Sequence, residues 1–94
     1  MNSYETLFIL NPNCTEEEID AEVAKVTDII SAAGEVKATD KWGKRRLAYD
    51  INKNSEGYFV LVQFESEPKV LDELNHIYRI TENILRGIYV KVEA

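Results

Sequence analysis

The sequence predicts an α+β sandwich, in which two helices cover one face of a four-stranded antiparallel sheet. Two segments carry apolar residues at the three- and four-residue spacing of a helix face. Four further segments are rich in branched and aromatic residues, as strands are. The segments follow one another as β-α-β-β-α-β, and right-handed crossovers then favour a sheet with the strand order 4-1-3-2. The second strand lies at an edge of that sheet.

The chain has 94 residues, which suits a single domain over 1–94. Its N-terminus lacks the basic region and long apolar run of a signal peptide. No apolar run approaches the roughly 18 residues that a membrane span needs. We therefore expect a cytoplasmic protein with no membrane partner. Cys14 is the single cysteine, which excludes an internal disulfide and a cysteine-based metal site.

The first strand and the first helix each have a clear apolar face. The strand runs from Tyr4 to Leu10, and its even-numbered residues share one face. The helix runs from about Thr15 to Ala33, because Thr15 and Glu18 have the spacing of a capping box and Gly34 suits a C-cap. Its apolar face consists of Ile19, Val23, Val26, Ile30 and Ala33.

The second strand, Glu35 to Ile51, changes its apolar parity along its length. Its apolar residues are first even-numbered (Val36, Ala38, Trp42) and then odd-numbered (Leu47, Tyr49, Ile51). A β-bulge near Gly43 would bring both sets to one face. A turn over Asn52 to Gly57 leads to the third strand, Tyr58 to Glu65, whose even face is apolar throughout.

The last third of the chain predicts a helix and a strand. Pro68 suits the first helical position, and the helix continues to about Ile80. Its apolar stripe consists of Val70, Leu71, Leu74, Ile77 and Tyr78. After a connection at 81–83, the final strand covers Ile84 to Val92, with Ile84, Ile88, Val90 and Val92 on one face. The complete pattern is that of the ferredoxin-like fold.

The charge is unevenly distributed along the chain. The formal net charge is −6, and residues 1–40 carry two basic and nine acidic side chains. Residues 41–53, in contrast, carry five basic side chains and one acidic side chain. A local positive field of this kind attracts an anionic partner even when the whole molecule is acidic. We expect structured RNA as that partner, helped by a basic second protein.

Residues 41–51 combine cations with aromatic rings, and we call them the basic band. Lys44, Arg45 and Arg46 provide donors for phosphate oxygens, and arginine can bind two oxygens at once. Trp42 and Tyr49 flank these residues and suit either stacking on bases or packing on the sheet. The alternative interpretation is edge protection, since charges on an edge strand prevent other chains from pairing with it.

Signals for catalysis or a cofactor are weak. His76 is the only histidine and is expected to face solvent on the second helix, while Cys14 is expected to be half-buried and structural. The turn after the first strand is Asn-Pro-Asn and lacks the glycines of a phosphate-binding loop. We therefore expect no enzyme, no metal, no cofactor and no small-molecule substrate.

Three other functions share features with this pattern. A ferredoxin-like regulatory module that binds a small metabolite needs a polar pocket at a helix–strand junction. An acylphosphatase-like enzyme needs an arginine in the first loop, and residues 11–15 contain none. The segments Leu7 to Asn11 and Gly57 to Val60 partly match the two strand motifs of the RNA-recognition motif, but Glu56 replaces the expected basic residue.

The segment Trp42-Gly43-Lys44-Arg45-Arg46-Leu47-Ala48-Tyr49-Asp50-Ile51 resembles the bacterial small-subunit ribosomal protein S6 family. Further pieces agree in order and spacing: Tyr4-Glu5, Leu10-Asn11-Pro12, Gly57-Tyr58-Phe59, and Arg79 followed by Asn83-Ile84-Leu85-Arg86. The resemblance spans essentially the whole chain. It implies a ferredoxin-like structural protein that binds the central domain of small-subunit ribosomal RNA together with the basic ribosomal protein S18.

The resemblance and the charge pattern together give a set of expected site residues. The RNA-binding residues are predicted to be Trp42, Lys44, Arg45, Arg46, Arg79 and Arg86. The protein partner is predicted to contact exposed apolar surface at Tyr49, Phe59 and Leu61.

Overall fold

A computed structural model describes residues 2–51 and 53–92, and it has the predicted β-α-β-β-α-β order. The elements are β1 Asn2–Leu10, α1 Glu16–Ala33, β2 Gly34–Ile51, β3 Asn54–Ser66, α2 Val70–Ile80 and β4 Ile84–Lys91. The four strands form one sheet in the order β2-β3-β1-β4, with antiparallel neighbours. The ferredoxin-like prediction is therefore confirmed, and β2 lies at an edge. No described helix is both long and apolar enough to span a bilayer.

The core lies between one face of the sheet and the two helices. On β1 and β3 the even-numbered apolar residues point into it, as predicted: Tyr4, Phe8, Leu10, Val60, Val62 and Phe64 are all buried. The helices contribute Ile19, Val26, Ile30, Val70, Leu74 and Tyr78. The period of two along the strands and of about 3.6 along the helices thus brings both apolar sets together. The opposite face of the sheet carries no helix and is called the open face below.

The first helix begins after Thr15 and ends at Ala33, as predicted. The Glu18 amide donates to Thr15 Oγ1 at 3.2 Å, and the Thr15 amide donates to Glu18 Oε1 at 2.9 Å. The hydrogen bond from the Thr15 amide holds the pKa of the Glu18 carboxyl below its usual value. Gly34 is the C-cap residue, as predicted, and its φ of −175° is extended. A Cβ at this position would clash with the Glu65 carbonyl oxygen, so glycine is needed for close approach to β3.

The predicted bulge in β2 is present, together with further irregularities. The register with β3 shifts between Lys41 and Gly43, so Trp42 is the extra residue, and Gly43 has φ +86°. A second shift, between Val36 and Ala38, was not predicted. Because of it, Val36 packs against the core while Ala38 pairs with Gln63 on the open face. The prediction that one bulge places all the apolar residues of β2 on one face is therefore wrong for Val36.

The hairpin between β2 and β3 is tighter than predicted. Ile51 pairs with Asn54, so β3 starts four residues earlier than the predicted Tyr58. Lys53, in the connection, has φ +67°. Asn52, which was included in the predicted turn, lies outside the described residues. Helix α2 also starts later than expected, because Pro68 belongs to a preceding turn in which the Leu71 amide donates to the Pro68 carbonyl at 3.0 Å.

The last strand changes face at its first residues. Leu10 pairs with Ile84, but Ile9 pairs with Arg86, so Leu85 is an extra residue in β4. Ile84 consequently packs in the core, whereas Ile88 and Val90 pair with Leu7 and Glu5 and lie on the open face. The prediction that Ile84 shares a face with Ile88 and Val90 is wrong. The sequence spacing alone did not reveal this irregularity.

Candidate nucleic-acid and protein interface

The open face of the sheet is largely apolar and uncovered. Its apolar residues come from all four strands and include Leu7, Ile9, Trp42, Phe59, Leu61, Ile88 and Val90. Ile88 is 48% exposed and Val90 is 55% exposed. A contiguous apolar surface of this kind on a small protein marks an interaction site. Phe59 and Leu61, two of the predicted partner-binding residues, belong to this surface.

The basic band divides between the two faces of β2. Arg45 pairs with Gly57 and lies on the open face, because residues opposite each other in a ladder share a face. Lys44 pairs with Tyr58 and Arg46 pairs with Glu56, which places both on the helix side of the ladder, and Arg46 also lines the pocket on the open face. The three predicted phosphate-binding cations therefore surround the edge strand.

Trp42 stands on the open face between an aromatic ring and a cation. Its ring lies 6.3 Å from the Phe59 ring, centroid to centroid, and the two planes are 8° apart. The guanidinium carbon of Arg45 lies 5.4 Å from the centre of the Trp42 ring, which is within the range of a cation–π contact. The indole is 42% exposed. Trp42 thus packs on the sheet and still presents accessible aromatic surface.

Tyr49 reaches across the open face to the other edge of the sheet. The Arg86 guanidinium Nη1 donates a hydrogen bond to Tyr49 Oη at 2.8 Å. Below this contact lies a pocket of about 250 Å³, with Leu7, Leu47 and Phe59 among its lining residues. The structure therefore joins a residue predicted to bind RNA to one predicted to bind protein. Nothing in the sequence signals this contact, because residues 49 and 86 lie on strands that are not neighbours in the sheet.

Some of the described cations are already paired with carboxylates. Lys25 lies 3.5 Å from Glu22, and Lys37 lies within 4 Å of two carboxylates, with Glu35 at 3.2 Å. Lys41 contacts Asp20 of α1. The hydrogen bond from Lys37 to Glu35 and the one from Lys41 to Asp20 raise the pKa of each lysine.

The predicted RNA-binding cations are different. Within residues 2–51 and 53–92, no carboxylate forms an ion pair with Lys44, Arg45, Arg46, Arg79 or Arg86. Their charges are therefore available to an external anion.

Arg79 lies apart from the other predicted residues. It is exposed near the C-terminus of α2, beside an open polar groove of about 490 Å³ between α2 and β4. Asn75, Thr81 and Glu82 also line this groove. The groove lies at a helix–strand junction, where a metabolite-binding module would need a polar pocket, but it is open to solvent and not enclosed.

The structure offers no support for catalysis among the described residues. His76 is exposed on α2, and Cys14 is half-buried against the core, both as predicted. Burial raises the pKa of the Cys14 thiol, and the charges of Glu18 and Glu22 raise it further. Glu22 Oε2 is buried and has no hydrogen-bond partner within the described chain. No cluster of three or more metal-ligating side chains occurs in the described ranges.

Comparison with known proteins identifies the family. The family model described as ribosomal protein S6 matches residues 3–91. The small ribosomal subunit protein bS6 of Clostridium acetobutylicum is 47% identical over 94 residues, which cover 99% of each chain. The protein of the same name from Clostridium beijerinckii is 46% identical over 95 residues and is covered completely.

A solved structure agrees with these relatives. The crystal structure of 30S ribosomal protein S6 from Thermotoga maritima superposes with a TM-score of 0.91 at 33% identity, covering 97% of this chain and 87% of that one. The fold and the matches together define a structural protein of the small ribosomal subunit, with no enzymatic role. More narrowly, the chain belongs to the ribosomal protein S6 family. Its location is the cytoplasmic ribosome, as predicted.

Proposed function

We propose that this chain binds the central domain of small-subunit ribosomal RNA together with ribosomal protein S18. Family membership supports an association with ribosomal RNA and ribosomal proteins. The central domain and S18 come from the family resemblance of residues 42–51. The observation that carries the proposal is a division among the cations within residues 2–51 and 53–92. Lys25, Lys37 and Lys41 are paired with acids there, whereas the predicted RNA-binding cations form no ion pair.

The RNA contacts are assigned to the basic band and to two further arginines. Lys44, Arg45 and Arg46 surround the edge strand, so phosphates can be reached from both sides of it. Arg86 adds a cation at the opposite edge of the open face, and Arg79 adds one near the end of α2. Trp42 is assigned as an aromatic contact for an unpaired base.

The contact with S18 is assigned to the open face at Tyr49, Phe59 and Leu61. Apolar residues there lie beside Trp42, Ile88 and Val90, so a partner can bury a continuous apolar area. A basic partner also compensates the net charge of −6, which otherwise opposes the approach to RNA. The net charge of this chain therefore supports a role for a second, basic protein.

The test is to replace both Arg45 and Arg46 by Ala and to measure binding of the two-protein complex to a central-domain RNA fragment. Titrations at several salt concentrations give the slope of log K against log salt. The magnitude of this slope should decrease by about 0.7–0.9 for each phosphate that the variant no longer binds. The matched control replaces Lys25 and Lys37 by Ala, which changes the charge equally but removes paired cations. Equal slopes for all three proteins would contradict the assignment of Arg45 and Arg46.

A further inference from the structure

The hydrogen bond between Arg86 and Tyr49 connects the two edges of the sheet. Arg86 lies on β4 and Tyr49 on β2, and in the sheet order β3 and β1 lie between these strands. The donor Nη1 is 2.8 Å from the phenol oxygen, which is within the usual range for a charge-assisted hydrogen bond. Tyr49 is 64% exposed, so the contact is accessible to partners from outside.

The part of β2 that carries Tyr49 departs from the β ladder. Arg46 pairs with Glu56 and Ile51 pairs with Asn54, so residues 47–50 face only Ser55 on β3. We call residues 47–50 the β2 strap. Leu47 and Tyr49 of the strap line the same pocket as Ile88 of β4. The strap therefore extends over the open face, where the protein partner is expected to dock.

The geometry leaves most of the Arg86 guanidinium free. A guanidinium has about five N–H donors, and the phenol oxygen accepts from only one nitrogen. No carboxylate of the described chain forms an ion pair with Arg86. The contact therefore orients the guanidinium plane without neutralising it. A cation that is already oriented loses less side-chain freedom when it binds a phosphate.

We propose that Tyr49 is a positioning residue for Arg86, and that it couples binding of the protein partner to binding of RNA. A protein seated on the open face packs against the strap and restrains Tyr49. The restrained phenol holds Arg86 in the orientation that binds a phosphate, so the partner raises the RNA affinity of this chain. Coupling between two binding sites is reciprocal, and RNA must raise the affinity for the partner by the same factor. The inference rests on the proposed function, because it takes S18 and ribosomal RNA as the two partners.

The experiment uses variants that change single atoms or retain the charge. Tyr49→Phe removes the phenol oxygen and keeps the ring, while Arg86→Lys keeps the charge and removes the planar donor arrangement. The matched control is Tyr89→Phe, because Tyr89 is an exposed tyrosine of β4 without a side-chain hydrogen bond in the described chain. Affinity for the central-domain RNA fragment is measured with and without S18, and affinity for S18 is measured without RNA.

We expect Tyr49→Phe to weaken RNA binding by the two-protein complex about three- to tenfold, which is the effect of one hydrogen bond of ordinary strength. The factor by which S18 raises RNA affinity should fall by the same three- to tenfold in this variant. Binding of Tyr49→Phe to S18 without RNA should weaken less than RNA binding by the complex, because phenylalanine keeps the ring that packs against the partner. Tyr89→Phe should leave both affinities unchanged. In the Arg86→Lys background, Tyr49→Phe should have no further effect, because its role is exercised through Arg86.

Three results would overturn the proposal while leaving the proposed function intact. The first is an unchanged RNA affinity of the Tyr49→Phe complex. The second is full additivity of Tyr49→Phe and Arg86→Lys. The third is a weakening confined to binding of S18 without RNA, since Tyr49 would then be a protein contact only. Failure of the wild-type complex to bind the RNA fragment would instead overturn the proposed function, and the coupling with it.

Discussion

Replacing Tyr78 by Phe removes one oxygen atom from a buried chain of hydrogen bonds that joins three elements. Thr6 Oγ1 donates to the Ile88 carbonyl at 2.8 Å, which uses its only hydrogen. Tyr78 Oη therefore donates to Thr6 Oγ1, at 2.7 Å. The chain links α2 to β1 and to the edge strand β4. Phenylalanine retains the ring that stacks on Phe8, 5.7 Å away between centroids.

The expected effect of the substitution changes sign with pH. At neutral pH, removal of one buried hydrogen bond should lower the free energy of unfolding by about 1 kcal/mol. Burial raises the pKa of Tyr78 from 10.0 to about 12. The folded state thus favours the neutral phenol, and this contribution to stability is complete below pH 10 and is lost as the pH rises towards 12. Two pKa units correspond to about 2.7 kcal/mol.

The assay is urea unfolding followed by far-ultraviolet circular dichroism, for both proteins, between pH 7 and 12. Wild type should be the more stable protein at pH 7, and the two stability curves should cross near about pH 10.7. All other titrating groups are shared by the two proteins, so their effects cancel in the difference. If the stability curves of the two proteins stayed parallel above pH 10, the conclusion that the folded state keeps the Tyr78 phenol neutral would be refuted. Equal stability at pH 7 would refute the hydrogen-bond contribution.

Three further substitutions or measurements test other features of the structure. Thr15→Ala should lower the free energy of unfolding in urea by about 1 kcal/mol, because it removes the capping box. Thr27→Ala, in the interior of α1, is the control and should change it by less than about 0.5 kcal/mol. Equal effects of the two substitutions would contradict a stabilising cap at Thr15. Gly43→Ala should lower the free energy of unfolding by about 1–2 kcal/mol, because φ at this position is +86°, and Gly43→Asn should lower it less. No loss of stability in Gly43→Ala would show that the bulge relaxes to accept a side chain. Cys14 should react with a disulfide reagent more slowly than free cysteine at pH 8, because burial and nearby carboxylates raise the pKa of its thiol. Glu22→Gln should speed the reaction, because it removes one of these carboxylates. A wild-type rate equal to that of free cysteine would contradict the raised pKa.

Much of the fold could be predicted because its signals are local. The capping box needs only residues 15 and 18, and each apolar helix face needs only the regular spacing within its own segment. Alternation along β1 and β3 fixed which residues enter the core. The edge position of β2 followed from element order and the handedness of crossovers. The basic band was visible because its charges are consecutive in sequence.

The errors arose where two distant segments meet. Val36 was assigned to the face of Ala38 and Trp42, but the register between β2 and β3 shifts between Val36 and Ala38. Ile84 was assigned to the face of Ile88, but the register between β1 and β4 shifts at Leu10. In both cases the deciding partner lies on another element, and a periodic pattern within one strand does not contain that information.

The sequence by itself determined the order of elements, the two core-facing helix surfaces and the clustering of cations between positions 41 and 46. Only the tertiary structure decided how those cations are used. It pairs Lys41 with Asp20 of α1, stacks Arg45 on Trp42 and brings Arg86 to Tyr49. The physical reason is that charge and periodicity are properties of the chain. Whether a charge is neutralised, oriented or left free depends on which side chains the sheet register and the bulges of β2 bring within a few ångströms of it.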